Sequence, residues 1–140
     1  MENRVCIMAV DDEPVVLRVL KGILEPEGYE VLLASDGSSA LSLLDGHKPD
    51  LVLLDIMMPG LDGFQILNSI RERFNIPVIM LTARCDQESL VKTLKTGADD
   101  YVRKPFSATV LLARIAAKLR RVERAARQSS DRVPLLDRAG

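Results

Sequence analysis

Cysteine is scarce in this chain. Only Cys6 and Cys85 occur among 140 residues, at no metal-ligand or CxxC spacing. That excludes a disulfide scaffold and a dithiol redox motif and fits a reducing cytosol, with Cys6 a small core residue. No apolar run approaches membrane-spanning length and no signal peptide opens the chain, so a soluble, cytoplasmic protein without a membrane partner is expected. The single histidine, His47, lies in the polar stretch Asp45-Gly46-His47-Lys48-Pro49 and reads as a loop residue. Internal repeats and low-complexity segments are absent. Residues 1–117 carry 12 Lys+Arg against 17 Asp+Glu, whereas residues 118–140 carry 7 against 3. The basic tail has no aromatic residue to stack on bases, so nucleic-acid binding by it is weakly supported and a solvated helix face is the plainer reading.

What is present is an ordinary globular composition, 47% hydrophobic and 28% charged. That is one domain plus a short extra piece, long enough to bury a core without staples. The stretch that organises the rest is Leu51-Val52-Leu53-Leu54-Asp55-Ile56-Met57-Met58-Pro59-Gly60. Four apolar residues run without alternation into one carboxylate, as in a strand buried on both faces of a parallel sheet. Asp55 then ends that strand, and Pro59-Gly60 marks a loop. In open α/β sheets, ligands bind just outside the carboxyl ends of the strands.

Val5-Cys6-Ile7-Met8-Ala9-Val10 is a second such run, ending in Asp11-Asp12-Glu13. Pro14 suits the first turn of a helix. Val16, Leu17, Val19, Leu20, Ile23 and Leu24 then recur at helical spacing, and Gly28 stops the helix. Tyr29–Ala34 reads as a strand, with Asp36 or Ser38 capping a helix that buries Ala40, Leu41, Leu43 and Leu44. After the central strand, Asp62 and Gln65 form a capping-box pattern ahead of Phe64, Ile66, Leu67 and Ile70. Ile76–Leu81 is a strand ending in Thr82-Ala83. A helix from about Gln87 to Thr96 stops at Gly97. Asp100–Arg103 is a fifth strand ending in Lys104-Pro105. Ser107 caps a last helix through roughly Arg127, with Leu111, Leu112, Ile115, Ala116, Leu119 and Val122 inward. Five strands alternating with five helices imply a parallel sheet covered on both faces by right-handed crossovers.

In such a sheet Asp11, Asp12, Asp55, Thr82 and Lys104 share one edge. Three carboxylates there repel one another, and a divalent cation with a preference for hard oxygen ligands, Mg²⁺, relieves the conflict. Together with a hydroxyl and an ammonium they form an electrostatic seat for a phosphoryl group, with Asp55 as candidate nucleophile. Each residue alone admits a plainer role: Asp12 as a helix cap, Thr82 as a strand end, Lys104 as a surface charge. Their joint placement on strand ends is what carries the signal.

Val10-Asp11-Asp12-Glu13, Leu54-Asp55-Ile56-Met57-Met58-Pro59 with Asp62-Gly63, Leu81-Thr82-Ala83 and Gly97–Phe106 resemble the receiver (CheY-like) domain of bacterial two-component response regulators over about residues 4–122. The resemblance implies a flavodoxin-like, doubly wound (βα)5 sandwich with strand order 2-1-3-4-5, occupying residues 1–124. Residues 125–140 are then the end of the last helix and a linker or the start of an output domain. It implies that Asp55 accepts a phosphoryl group from the phosphohistidine of a sensor histidine kinase. Asp12, Asp55 and the backbone carbonyl of Met57 would ligate Mg²⁺, with Asp11 acting through water, and Thr82 and Lys104 would bind phosphoryl oxygens. A cis Lys104-Pro105 peptide is also implied, as is a Thr82–Tyr101 switch pair. Such a domain is a phosphoacceptor that catalyses its own phosphorylation and dephosphorylation rather than an enzyme with a separate substrate. The closest likeness is to regulators of the OmpR/PhoB type, with winged-helix DNA-binding output, so DNA would be reached only through an output domain. These regulators dimerise on phosphorylation through the fourth helix, fifth strand and fifth helix. Leu90 and Val110 replace a charged pair of that interface, and Asp100 and Arg114 match a second pair. A non-DNA-binding output or a stand-alone phosphorelay protein is the alternative. An aspartyl phosphatase would need a second Asp where Met57 stands. A flavin-binding relative would need a hydroxyl- and glycine-rich loop where Asp11-Asp12-Glu13 stands.

Overall fold

A computed structural model describes residues 4–56, 63–83 and 87–121. Its elements are β1 (Cys6–Val10), α1 (Pro14–Leu24), β2 (Glu30–Ala34), α2 (Gly37–His47), β3 (Leu51–Asp55), α3 (Gly63–Arg73), β4 (Val78–Thr82), α4 (Gln87–Thr96) and β5 (Asp100–Arg103). A fifth helix, α5, is described over 108–121. The five strands form one parallel sheet in the order β2-β1-β3-β4-β5. Strand order reverses between β1 and β3, so the crevice at their carboxyl ends is a topological switch point.

β1, β3 and β4 are buried along their whole length, which explains their unalternating apolar sequence. Alternate residues feed two separate cores. Met8, Val10, Val52, Leu54, Val78 and Met80 pack against Ala40 and Leu44 of α2 and Phe64, Ile66, Leu67 and Ile70 of α3. Ile7, Ala9, Leu51, Leu53, Ile79 and Leu81 pack against Leu17, Leu20 and Leu24 of α1 and Leu111 and Ile115 of α5. Fully burying each such side chain contributes roughly 1.5–3 kcal/mol, so the two cores fix the sheet between its helix layers.

Local signals act as read. Asp36 caps α2, its Oδ1 accepting from the Ser39 amide at 2.7 Å, and that bond holds its carboxyl below the ordinary aspartate value. Gly28 and Gly97 take positive φ, +93° and +106°, where L side chains are strained. Ser107 caps α5: its Oγ accepts from Val110 N at 3.3 Å. The Lys104-Pro105 peptide is cis.

Four readings are corrected. Pro14 opens α1, but the α-helix ends at Leu24 and a 3-10 turn over Glu25–Glu27 completes the path to Gly28. Val19 is 47% exposed rather than inward, because the stripe of α1 that covers the sheet is Leu17, Leu20 and Leu24, about one residue per turn. His47 is the last residue of α2, not a loop residue; the helix closes at Lys48 in a left-handed conformation, with Lys48 N bonded to Leu44 O at 3.2 Å. β4 begins at Val78, since Pro77 has no N–H to give to the ladder. The Asp62 cap and the Val122 position lie outside the described residues.

Candidate functional site

The site is built at the carboxyl edge of β1, β3, β4 and β5. Parallel pairing puts Val10 beside Leu54, Asp55 beside Leu81 and Thr82 beside Arg103. The ladder continues one residue past the strands: Asp11 N donates to Ala34 O at 3.1 Å and Lys104 N to Thr82 O at 2.7 Å. Asp11, Asp55, Thr82 and Lys104 are thereby fixed by backbone hydrogen bonds on neighbouring strands, and Asp12 follows Asp11 directly.

Asp11 is fully buried and Asp55 is 4% exposed, while Asp12 is half-buried. One carboxylate oxygen from each of the three lies within 4.8 Å of the others. Asp11 Oδ1 accepts from Glu13 N at 3.0 Å, which turns the chain into α1. Lys104 Nζ donates to Asp11 Oδ2 at 2.8 Å and stands 3.6 Å from Asp55 Oδ2. Burial alone would lower the Lys104 ammonium, but the hydrogen bond to Asp11 and the charges of Asp55, Asp11 and Glu13 outweigh it and hold its pKa above the ordinary value. Thr82 is buried at the end of β4. Three acids against one ammonium leave the cluster with a formal surplus of negative charge. An all-oxygen donor set of this span fits a hard divalent cation, for which Asp11, Asp12 and Asp55 are the side-chain ligands available.

The structure also shows what the sequence reading left without a role. Gly63 N donates to Ile56 O at 2.8 Å. A Cβ on Gly63 would press on the Asp55 carbonyl oxygen and stand 2.5 Å from the Ile56 Cα. Only glycine lets α3 start directly against the backbone of the site strand. The motif Asp62-Gly63 was the available signal.

The remaining predicted residues divide. Tyr101, half-buried on β5, packs on the α2–α3 side. It pairs with Met80, which puts it on the same sheet face as Thr82. Asp100 and Arg114 bond each other within one chain, Arg114 Nη1 lying 3.0 Å from Asp100 Oδ1 and 3.0 Å from Oδ2, with Lys118 Nζ 3.9 Å from Oδ2. Val110 is 45% exposed. Met57 and the side chain of Leu90 lie outside what is described. Among the described residues, no helix is long and apolar enough to cross a membrane.

Comparison with known proteins agrees with this geometry. The family model "Response regulator receiver domain" matches residues 7–116. The receiver domain of the Francisella response regulator 1452 is 35% identical, with a TM-score of 0.79 over 84% of this chain and 98% of its own. A CheY-like receiver domain protein from Methanospirillum hungatei is 34% identical, with a TM-score of 0.83 over 88% and 99%. The BeF3-activated N-terminal receiver domain of Klebsiella pneumoniae RstA is 35% identical, with a TM-score of 0.79 over 82% and 98%. A buried aspartate ending the central strand of a 2-1-3-4-5 parallel sheet, flanked by two acids and a lysine, and this matching over most of the chain have one joint consequence: the chain belongs to the response regulator receiver domain family.

Proposed function

We propose that this domain is a cytoplasmic, phosphorylation-dependent switch in which Asp55 takes a phosphoryl group from the phosphohistidine of a sensor histidine kinase. One observation carries the reading. A buried carboxylate, Asp55, has two further acids within 4.8 Å and a lysine ammonium at 3.6 Å. In the transfer an Asp55 oxygen attacks phosphorus, the phosphorus–nitrogen bond breaks, and the imidazole leaves with the electron pair. The acids that would repel the incoming group are the ones able to hold Mg²⁺. Asp12 and Asp55 with the Met57 carbonyl would be its ligands, and Asp11 would act through water. The ion would neutralise charge developing on the phosphoryl oxygens. Lys104 supplies a fixed positive charge and Thr82 a hydroxyl donor, both in a desolvated setting where such groups act strongly. The same residues would serve when water later attacks the acyl phosphate, so the domain catalyses its own phosphorylation and dephosphorylation.

The signal would leave through Thr82 and Tyr101, which share a sheet face on neighbouring strands. The hydroxyl drawn toward the phosphoryl group vacates space that the ring fills. That biases α4, β5 and α5 between two arrangements. We assign this face to a homodimer of the phosphorylated form. Its Asp100–Arg114 bond is partly exposed, so exchanging it between copies costs only about 0–1 kcal/mol. The likeness to the N-terminal receiver domain of RstA supports an output carried by a separate domain, and the resemblance of Gly97–Phe106 to winged-helix regulators points that output to transcription. The second reading, a stand-alone protein or a non-DNA-binding output, is favoured by Leu90 and Val110 in place of a charged interface pair.

The test is labelling with acetyl phosphate and Mg²⁺, with the site located by mass spectrometry. The expected result is one phosphoryl group, on Asp55. Label persisting at wild-type yield in Asp55→Asn would sink the proposal.

A further inference from the structure

Arg71 stands in the last turns of α3, at the edge of the sheet opposite the acid cluster, with its side chain 23% exposed. Its Nε donates to Gly97 O at 2.9 Å, Nη1 to Ile76 O at 2.5 Å and Nη2 to Asp99 Oδ2 at 2.5 Å. The same Asp99 oxygen accepts from Val78 N at 2.7 Å, and Asp99 N donates to Val78 O at 2.9 Å. One planar cation thus joins three segments: the end of α3, the entry to β4 and the exit of α4. The bonds are charge-assisted and their directions are set by the guanidinium fork. Gly97 takes φ +106°, and a Cβ there would sit 3.6 Å from the Arg71 stem, so the turn leaving α4 is packed against the cation it bonds. From this knot β4 runs to Thr82, roughly 13 Å away at about 3.3 Å per residue. Farther along α4, Lys92 lies over the Phe64 ring at 4.4 Å. That contact has no fixed direction and can slide without breaking a hydrogen bond.

We propose that the three-way bond of Arg71 to Gly97, Ile76 and Asp99 is the pivot of α4, so that α4 rearranges by swinging about its carboxyl end. A translation of the whole helix would break the bonds to Gly97 and Asp99 together. A swing breaks neither, and its amplitude is greatest at Gln87, five residues after Thr82 in the chain. The entry to β5 stays in place because Asp99 remains bonded to both Arg71 and Val78. The existence of the pivot rests on geometry alone; its use in signalling rests on the switch reading above.

The test is amide hydrogen exchange on the 140-residue chain, wild type against Arg71→Lys and Arg71→Gln. Lysine keeps the charge and the stem but cannot reach three acceptors at once. Losing two charge-assisted bonds should speed exchange at residues 94–99 by about tenfold or more, with β1 and β3 unchanged. Unchanged exchange at 94–99 in both variants would overturn the pivot. Equal acceleration in β1 and β3 would overturn it too, making Arg71 a general stabiliser. In a second arm, beryllofluoride and Mg²⁺ should alter wild-type exchange most at 87–90 and least at 94–97, and Arg71→Lys should flatten that gradient. A wild-type change as large at 94–97 as at 87–90 would refute the swing. A wild type that ignores beryllofluoride would refute the switch reading and leave the first arm standing.

Discussion

Replacing Gly63 by alanine tests how closely the third helix is built onto the site. The added Cβ would meet the Asp55 carbonyl oxygen and lie 2.5 Å from the Ile56 Cα. Both are backbone atoms of a buried strand end, so neither can turn aside. Ordinary carbon contact lies at about 3.5–4 Å, so roughly 1 Å must open between α3 and the end of β3. Overpacking of this kind costs about 1–3 kcal/mol. Alanine's intrinsic helix preference returns at most about 1 kcal/mol, which leaves a net loss of up to about 2 kcal/mol. The shift falls on the carbonyl of the proposed phosphoacceptor itself, and a misplacement of about 1 Å can cost on the order of a hundredfold in rate. Urea unfolding gives the first quantity and the rate of labelling by acetyl phosphate gives the second. The expected variant is folded, mildly destabilised and slowed much more than its stability implies. Wild-type labelling by a variant of unchanged midpoint would refute the steric argument.

Four other outcomes are expected. Lys104→Met leaves the buried Asp11 and Asp55 facing each other and should cost about 2–3 kcal/mol without divalent cation, at or below the bottom of the range of about 3–5 kcal/mol for broken buried pairs because Lys104 is 16% exposed. Millimolar Mg²⁺ should return part of it; equal stability of variant and wild type in chelator would refute the pairing. The fold raises the Lys104 pKa, so its stabilising share is complete below the unfolded lysine value of about 10.4 and fades only as pH climbs through the higher folded value. Unfolding midpoints of the two proteins should therefore converge only in that alkaline range. The Cys6 thiol, pushed up to about 11 by burial and by the charges of Glu30 and Asp50, should resist alkylation at pH 8 until the protein unfolds, and rapid labelling of Cys6 itself in the native form, distinguished from Cys85 by mass spectrometry, would contradict its placement. Sedimentation with beryllofluoride and Mg²⁺ should show a dimer that high salt weakens little, since aliphatic Leu90 and Val110 stand where ion pairs would be screened; a dimer untouched by Val110→Asp would exclude this face.

The strands were legible where burial on both sides writes an unbroken apolar run, as in Leu51–Leu54. The acid cluster was legible because a parallel sheet brings strand ends together whatever the side chains. Helix ends were legible at Asp36 and Gly97, where one residue type meets one backbone need, whereas Gly28 closes the 3-10 turn after α1 rather than α1 itself. Arg71 was not, because two of its three acceptors are backbone carbonyls, which every residue has. The demand on Gly63 comes from the end of β3, at Asp55 and Ile56; the motif Asp62-Gly63 marked the position but not the contact. The exposure of Val19 depends on how much of α1 the sheet can cover. The Asp100–Arg114 bond inside one chain depends on the spacing of β5 and α5, which no sequence interval specifies.

The alternation of the strands has a consequence for how such a protein can change over generations. Asp11, Asp55 and Lys104 continue the rows of Ala9, Leu53 and Val102, whose neighbours are α1 and α5. Thr82 continues the row of Met80, and Tyr101 packs in that same layer with α2 and α3. Asp55 and Lys104 are thus backed by one core and the Thr82–Tyr101 pair proposed to sense the phosphoryl group by the other, with Thr82, which also donates to that group, as the joint at the sheet edge. A drifting substitution in one layer reaches the other through the strand backbones and through that joint. Acceptance of the signal and its readout can therefore be tuned by separate lineages of mutations, and a fold with that property can diversify its partners while its chemistry stands still.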